Sequence, residues 1–539
     1  MRLEILLDTD LAACDQARKE IEKEFNTINY IQEKDYPRFG NFIEIETGNV
    51  SDTDTWRITD QLMQVPGVID VDPDIHHENE EALISNQFFT ENKQLNSLGT
   101  AYPPPDWYHH DIFFPEAIAL AINEAKTGHG HFDGTNRIKV AQLDTGYTRH
   151  PEVKNFNIRE GHNFLEKENP KDPKDKLNST RPFPIFWGGH GTSCAGVMIG
   201  TKARISLRDP EPEDDLVMED RVNGVFPNID LIPYRISRSI ISFTNKMAKA
   251  LDMIIDRGDI PIVSMSHASL IAKRSHRLAV QEAVNKGIVI VAAPGSHIRS
   301  FKRVFTYPAK YPETIATAAS TVDKVPWKLT HGGKEVDLCA PGFQILIPFP
   351  YTKTKRFLLF FRRKREYHAY KWSEGSSFSV PLTACAASLW MLHHGVDKLR
   401  TRYPGAELTE TLRKLLTYTS QPFNGEVDTN VYGAGILHVK NLIQASLPEG
   451  KQQISIDTNQ QIFNLSKKIK ERQTVFSREK ELMHKTLLAK IYTEDKNEDL
   501  SEYVMDTASE ALKSHLKKSY SSENIKSRVK QYVNEWYGQ

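Results

Sequence analysis

Four near-continuous apolar runs, at 138–143, 231–236, 260–265 and 287–292, constrain this chain more than any other feature. Aliphatic residues predominate in each, and stretches with helical spacing separate them. A strand with one wet face alternates apolar and polar residues; a strand covered on both faces has no need to. Runs of this kind predict a parallel sheet sandwiched by helices, the α/β class.

The 539 residues exceed one compact domain, and two to four are expected. Residues 1–80 read as a small α+β domain. Alternating strands are predicted at 2–7 and 39–47 and a short one at 67–71, with helices at 11–25 and 54–63. That order suits a ferredoxin-like unit. Residues 81–105 are polar and end in Pro103, Pro104 and Pro105, the composition of a linker. The sheet-and-helix pattern fills 106–447. From 448 to 539 Lys, Glu, Gln and Ser dominate, apolar residues recur at helical spacing, and a helical extension is expected.

Sixty-nine basic residues against 70 acidic ones leave a net charge of -1, so composition offers no nucleic-acid signal. The opening MRLEILLDTD lacks the basic start, longer apolar stretch and small-residue cleavage site of a secretory leader. No run approaches the roughly 18 apolar residues of a membrane span. Cys14, Cys194, Cys339 and Cys385 form no metal-type pair and read as reduced, mostly buried thiols. A cytoplasmic location is expected.

Three segments carry chemistry. KVAQLDTG (139–146) is an apolar strand ending at a turn on Asp144. D-T-G also marks aspartic proteases, but no second such strand is present. GGHGTSCAGVMIG (188–200) sets His190 among small residues that let a helix approach a sheet closely. EGSSFSVPLTACAASLWM (374–391) puts Ser377 at a helix start after Gly375. A serine there is usually only a cap, yet helix N–H donors and the dipole also favour a nucleophile.

Together these blocks resemble the subtilisin-like serine protease family, the subtilases. The order Asp, His, Ser is that family's order. Its His block, H-G-T-x-x-A-G, is intact from His190 to Gly196; its Ser block, G-T-S-M-A-x-P, appears as Gly375-Ser376-Ser377-Phe378-Ser379-Val380-Pro381. NGVFPNIDLIPYRI (223–236), YPAKYPETIATAAS (307–320), DLCAPG (337–342) and YGAGILHVKNLIQAS (432–446) resemble its linking and closing segments. The resemblance implies a serine endopeptidase with Asp144, His190 and Ser377 as its triad. It implies that 1–80 is an inhibitory propeptide and that the linker 81–105 would hold an autoprocessing site. It also implies that SMSHAS (264–269), through Ser264, Ser266, His267 and Ala268, forms an edge where extended peptide adds as a strand.

Two positions depart from the family. Its oxyanion-hole Asn is replaced by Ser296 in AAPGS (292–296), and Phe378 follows the nucleophile where Met is usual. No cofactor or metal is called for. The acidic run 211–215 lacks EF-hand spacing and reads as a solvated insert, although loops of many subtilases hold calcium. The basic run 353–365 reads as an exposed hairpin near the cleft. The pairs His76-His77 and His109-His110 read as surface residues, and Cys194 as a buried filler. Expected partners are a protein or peptide substrate, the chain's own N-terminal domain as inhibitor, and a protein held by 451–539. The competing reading is a subtilase-fold regulatory or scaffold protein with weak or absent turnover.

Overall fold

The structure, a computed structural model, describes residues 2–8, 10–24, 29–31, 42–46, 52–74, 103–165, 168–177, 188–201, 224–240, 246–269, 272–296, 306–357 and 361–450, and Ser527. Most of the linker 81–105, the acidic run 211–215, His76-His77 and almost all of 451–539 lie outside the described residues.

The N-terminal unit runs β1 (Arg2–Leu7), α1 (Leu11–Glu24), β2 (Asn29–Ile31), β3 (Phe42–Glu46), α2 (Asp52–Leu62) and β4 (Val68–Asp74). Its antiparallel sheet has the order β2-β3-β1-β4. This is the βαββαβ arrangement of the ferredoxin-like fold. The sequence pattern gave three of the four strands; β2, three residues long, is too short to show a period. Alternation in β1 sends Leu3, Ile5 and Leu7 into this unit's own core. Leu6 faces the other way and joins a second cluster, with Phe42, Ile69 and residues of the larger domain.

That larger domain begins with α3 (Trp107–Asp111), which contains His109 and His110, and α4 (Phe114–Lys126). Its seven-stranded sheet comprises β5 (Ile138–Asp144), β6 (His162–Asn163), β7 (Ile229–Arg235), β8 (Ile262–Met265), β9 (Val289–Ala292), β10 (Ile315–Ser320) and β11 (Leu338–Pro341). The order is β11-β10-β9-β8-β5-β7-β6, and every pairing is parallel. The helices include α5 (His190–Ile199), α6 (Lys246–Arg257), α7 (Arg274–Asn285) and α8 (Ser376–His394). From β5 the chain first builds β6 and β7 on one side, then β8 to β11 on the other. The topological switch therefore falls at β5, where ligands of open α/β sheets bind beyond the strand ends. Asp144 is the last residue of that strand.

Helix α8 is apolar all round, and every residue in it is buried except Ser377 and His394. Before it, β12 (Ile345–Phe357) pairs with β13 (Phe361–Ser373) as a long antiparallel ribbon, in register from Ile345↔Ser373 to Phe357↔Phe361. The expected hairpin at 353–365 is the far part of this ribbon; for those residues only backbone is described. The ribbon's base packs on α5, where the Ser193 hydroxyl donates to the Pro348 carbonyl at 2.7 Å.

The two domains meet through α6 and α7. Lys249 Nζ lies 2.6 Å from Glu44, Arg274 lies 3.0 Å from Asp70, and the Ser275 hydroxyl donates to Glu4 at 2.8 Å. All three carboxylates are buried. All four cysteines are buried and free. Among the described residues no helix is long and apolar enough to cross a membrane.

Several buried or half-buried imidazoles stay neutral. Burial holds His150 and His394 down to about 3 and His267 to about 4. The unfolded chain gains those protons near pH 6.5, so stability should fall as pH drops from 6.5 to 5, by up to about 1.4 kcal/mol per pH unit per histidine. Asp111 and Asp337, pushed up to about 6 by burial, act in the opposite sense below pH 6 and only reduce the loss. Urea unfolding at the two pH values should give a lower midpoint at pH 5.

Candidate active site

Asp144 leaves the carboxyl end of β5 fully buried, and the first turn of α5 lies directly across it. His190, the first residue of α5, donates from Nδ1 to Asp144 Oδ1 at 2.8 Å and lies 3.0 Å from Oδ2. The Thr145 N–H donates to Asp144 Oδ1 at 2.7 Å, so the carboxylate is held from two directions. The small residues around His190 have a specific use. A Cβ on Gly191 would stand 2.2 Å from the Gly146 carbonyl oxygen, and the residue before His190, Gly189, has φ 87°. Only glycine allows that approach and that turn at low cost.

Burial by itself would lower the pKa of His190. The Asp144 carboxylate, with Cys194 adding to it, holds the imidazole well above its ordinary value all the same. With Nδ1 on Asp144, the other ring nitrogen, Nε2, has Cys194 Sγ 3.8 Å away.

Ser377 is the second residue of α8 and is partly exposed in an otherwise buried helix. Its carbonyl accepts from the Ser266 hydroxyl at 2.7 Å and from Cys194 Sγ at 3.4 Å. Cys194 Sγ also lies 3.8 and 3.9 Å from the two ring nitrogens of His190, and the Phe378 ring is 6.4 Å from the imidazole. Strand end, first turn of α5 and first turn of α8 thus converge on one point. The Ser377 hydroxyl points to the Ser266 carbonyl oxygen, 3.5 Å away.

Ser296 stands beside the same helix start: its hydroxyl accepts from the Ser376 N–H at 3.2 Å and lies 3.5 Å from the Ser376 hydroxyl. Ser264, Ser266, His267 and Ala268 are all buried at the end of β8. The Ala268 N–H is already paired, donating to the Ile240 carbonyl at 3.0 Å. Cys194 is buried, as expected of a filler, and it lies beside Asp144 and His190. Asp144, His190 and Cys194 bring their ligand atoms within 4.8 Å of one another, a set that could hold a soft metal ion. Burial raises the Cys194 thiol pKa, which keeps it protonated.

Sequence reasoning missed Asp175. It is buried and accepts from the Gly189 N–H at 2.7 Å and the Leu177 N–H at 3.0 Å, tying down the residue before His190. Fourteen residues separate it from Gly189, and a lone Asp in a polar stretch gives no sequence signal.

With this geometry in view, comparison with known proteins gives a family. The Subtilase family profile matches residues 135–435. The chain belongs to the subtilase family. This subtilase is 25% identical to subtilisin E from Bacillus subtilis (strain 168) over 353 residues, covering 64% of this chain and 75% of that protein. It is 30% identical to the major intracellular serine protease of Bacillus subtilis (strain 168) over 219 residues, covering 40% of this chain and 61% of that one. Among solved structures, fervidolysin from Fervidobacterium pennivorans, a keratinolytic enzyme related to subtilisin, is similar. The TM-score is 0.54 at 18% identity, over 83% of this chain and 61% of that one, which speaks to the fold alone.

Removing the Asp144 charge should expose what burial does to the imidazole. In Asp144→Asn the His190 titration, followed by histidine NMR, should move from above to below about 6.5. A titration unmoved by the substitution would deny Asp144 its part in setting that pKa.

Proposed function

We propose that this subtilase is a serine endopeptidase, made as a self-inhibited precursor, that cleaves peptide bonds through an acyl-enzyme. The Asp144–His190 contact carries the reading, because with Nδ1 on the carboxylate Nε2 is the nitrogen that would serve a hydroxyl as base. Ser377 would attack the scissile carbonyl, and His190 would take its proton and later deliver it to the leaving amine. Asp144 would fix the tautomer and stabilise the imidazolium. The N–H of Ser377, at a helix start, and the hydroxyl of Ser296 would face the developing oxyanion. Asp175 would hold the base in place through Gly189.

Residues 1–80 are the inhibitor in this reading, seated on α6 and α7 through Glu4, Glu44 and Asp70, with cleavage in 81–105 and the catalytic unit spanning 106–447. The segment 448–539 would bind a protein partner. We place the enzyme inside the cell, like the intracellular relative.

A serine-directed fluorophosphonate should label the wild type at Ser377, and Ser377→Ala should lose both labelling and peptide cleavage. Intact mass should show the wild type shortened by about 80 to 105 residues while Ser377→Ala stays full length. Peptide cleavage by a clean Ser377→Ala sample would sink the assignment. A regulatory protein with weak or absent turnover is the second reading, favoured by Ser296 and by the turn of the Ser377 hydroxyl toward Ser266. Absence of labelling would support it.

Ser296 gives a graded test. Losing one side-chain donor costs a subtilisin, a relative of this chain, on the order of 10² to 10³ in turnover. A serine hydroxyl is shorter than an asparagine amide and rotates freely, so it is the less preorganised donor. Ser296→Ala should lower turnover by less than that range, and Ser296→Asn should raise it. If neither changes turnover on one peptide substrate, Ser296 lies outside the oxyanion hole.

A further inference from the structure

His267 is 2% exposed, and neither ring nitrogen has a hydrogen-bond partner among the described residues. One other buried histidine shows the contrast. His150, also buried, accepts the Glu152 N–H at Nδ1 (3.2 Å) and meets the Ala369 carbonyl at Nε2 (3.3 Å). His267 directly follows Ser266, whose hydroxyl reaches the Ser377 carbonyl. It lies near enough to Asp144, His190 and Lys246 for all three charges to act on it.

At neutral pH His267 is an uncharged imidazole, with one N–H to give and one lone pair to fill. Leaving a buried polar group unpaired costs about 1–3 kcal/mol, whereas a leucine of similar volume would carry no such penalty. A polar group kept unpaired beside a reacting centre has its use when a ligand arrives.

We propose that His267 is a specificity residue that hydrogen-bonds an oxygen-bearing substrate side chain, Asp, Asn, Glu or Gln, bound beside the triad. This rests on the peptidase reading above. An acceptor arriving there gains a hydrogen bond in a buried site, while an apolar side chain leaves the imidazole unpaired. Sites built to hydrogen-bond a substrate reject analogues lacking the group more strongly than apolar pockets reject a missing methylene.

The test uses enzyme expressed as the whole chain and allowed to mature, with peptides that differ at one position among the four preceding the cleaved bond, carrying Asp, Asn, Glu, Gln or Leu. In the wild type one position should favour an oxygen-bearing residue over Leu by tenfold or more in kcat/KM. His267→Leu should abolish or invert that preference, and His267→Gln should keep part of it. Whether amides or carboxylates lead identifies the acceptor. His267→Leu should also melt at a higher temperature than wild type, because an unpaired buried group has been removed; that readout separates lost specificity from lost folding. A wild type that labels with fluorophosphonate but whose side-chain preferences are the same in all three forms overturns the role of His267 alone. A wild type that does not label overturns the peptidase reading, and this proposal with it.

Discussion

The buried contact between Asp144 and His190 is the constraint around which the larger domain is organised. Taking a carboxylate out of water is costly unless its oxygens are engaged, and here the His190 and Thr145 N–H groups engage them. That requirement fixes a strand end and a helix start to within a hydrogen bond of each other. Backbone can come so close only where no side chain intervenes, which is why Gly191 stands over Gly146. Asp175 then secures the residue before His190, so the imidazole is held from its ring and from its backbone. The Gln142 amide adds a further tie, donating to the Gly191 carbonyl at 2.8 Å.

The parts of this arrangement legible in the sequence were those written in short runs. Strand β5 and its terminal Asp144 read directly, because strands covered on both faces stay apolar to their ends. His190 and Ser377 read from the small residues that close packing demands. What did not read were contacts between residues far apart in the chain and ordinary in type. Ser266 reaches the carbonyl of Ser377 across 111 positions, and nothing in SMSHAS singles that hydroxyl out. Pairing of the Ala268 N–H with Ile240 was equally hidden, since backbone partners leave no mark on side-chain pattern.

The N-terminal sheet shows how a sound rule can be incomplete. Alternation in RLEILL and FIEIE gives one apolar face and one bearing Glu4 and Glu44, which taken alone describes a half-wet sheet. Both glutamates are instead buried against α6 and α7, where Lys249 and Ser275 meet them. An interface of this composition is specific rather than strongly adhesive, because buried ion pairs roughly repay their own desolvation. Leu6, Phe42 and Ile69 supply the apolar contact, while the carboxylates select the register. A domain held in this way can be both well placed and removable, as the precursor reading requires.

The strand edge beside Ser377 is already partly paired. Unpaired backbone groups in a buried site are expensive, so an edge meant for substrate must have partners while it waits. Here the Ala268 N–H is satisfied by the Ile240 carbonyl, and the Ser266 carbonyl faces the Ser377 hydroxyl at 3.5 Å. The second of these is at the limit of a hydrogen bond and is readily given up. In the proposed reaction an arriving peptide would exchange these bonds one for one, freeing the hydroxyl to turn toward His190. Binding would then add little hydrogen-bond energy along the backbone. Discrimination would have to come from side chains, and a buried, unpaired histidine next to that edge is well placed to supply it.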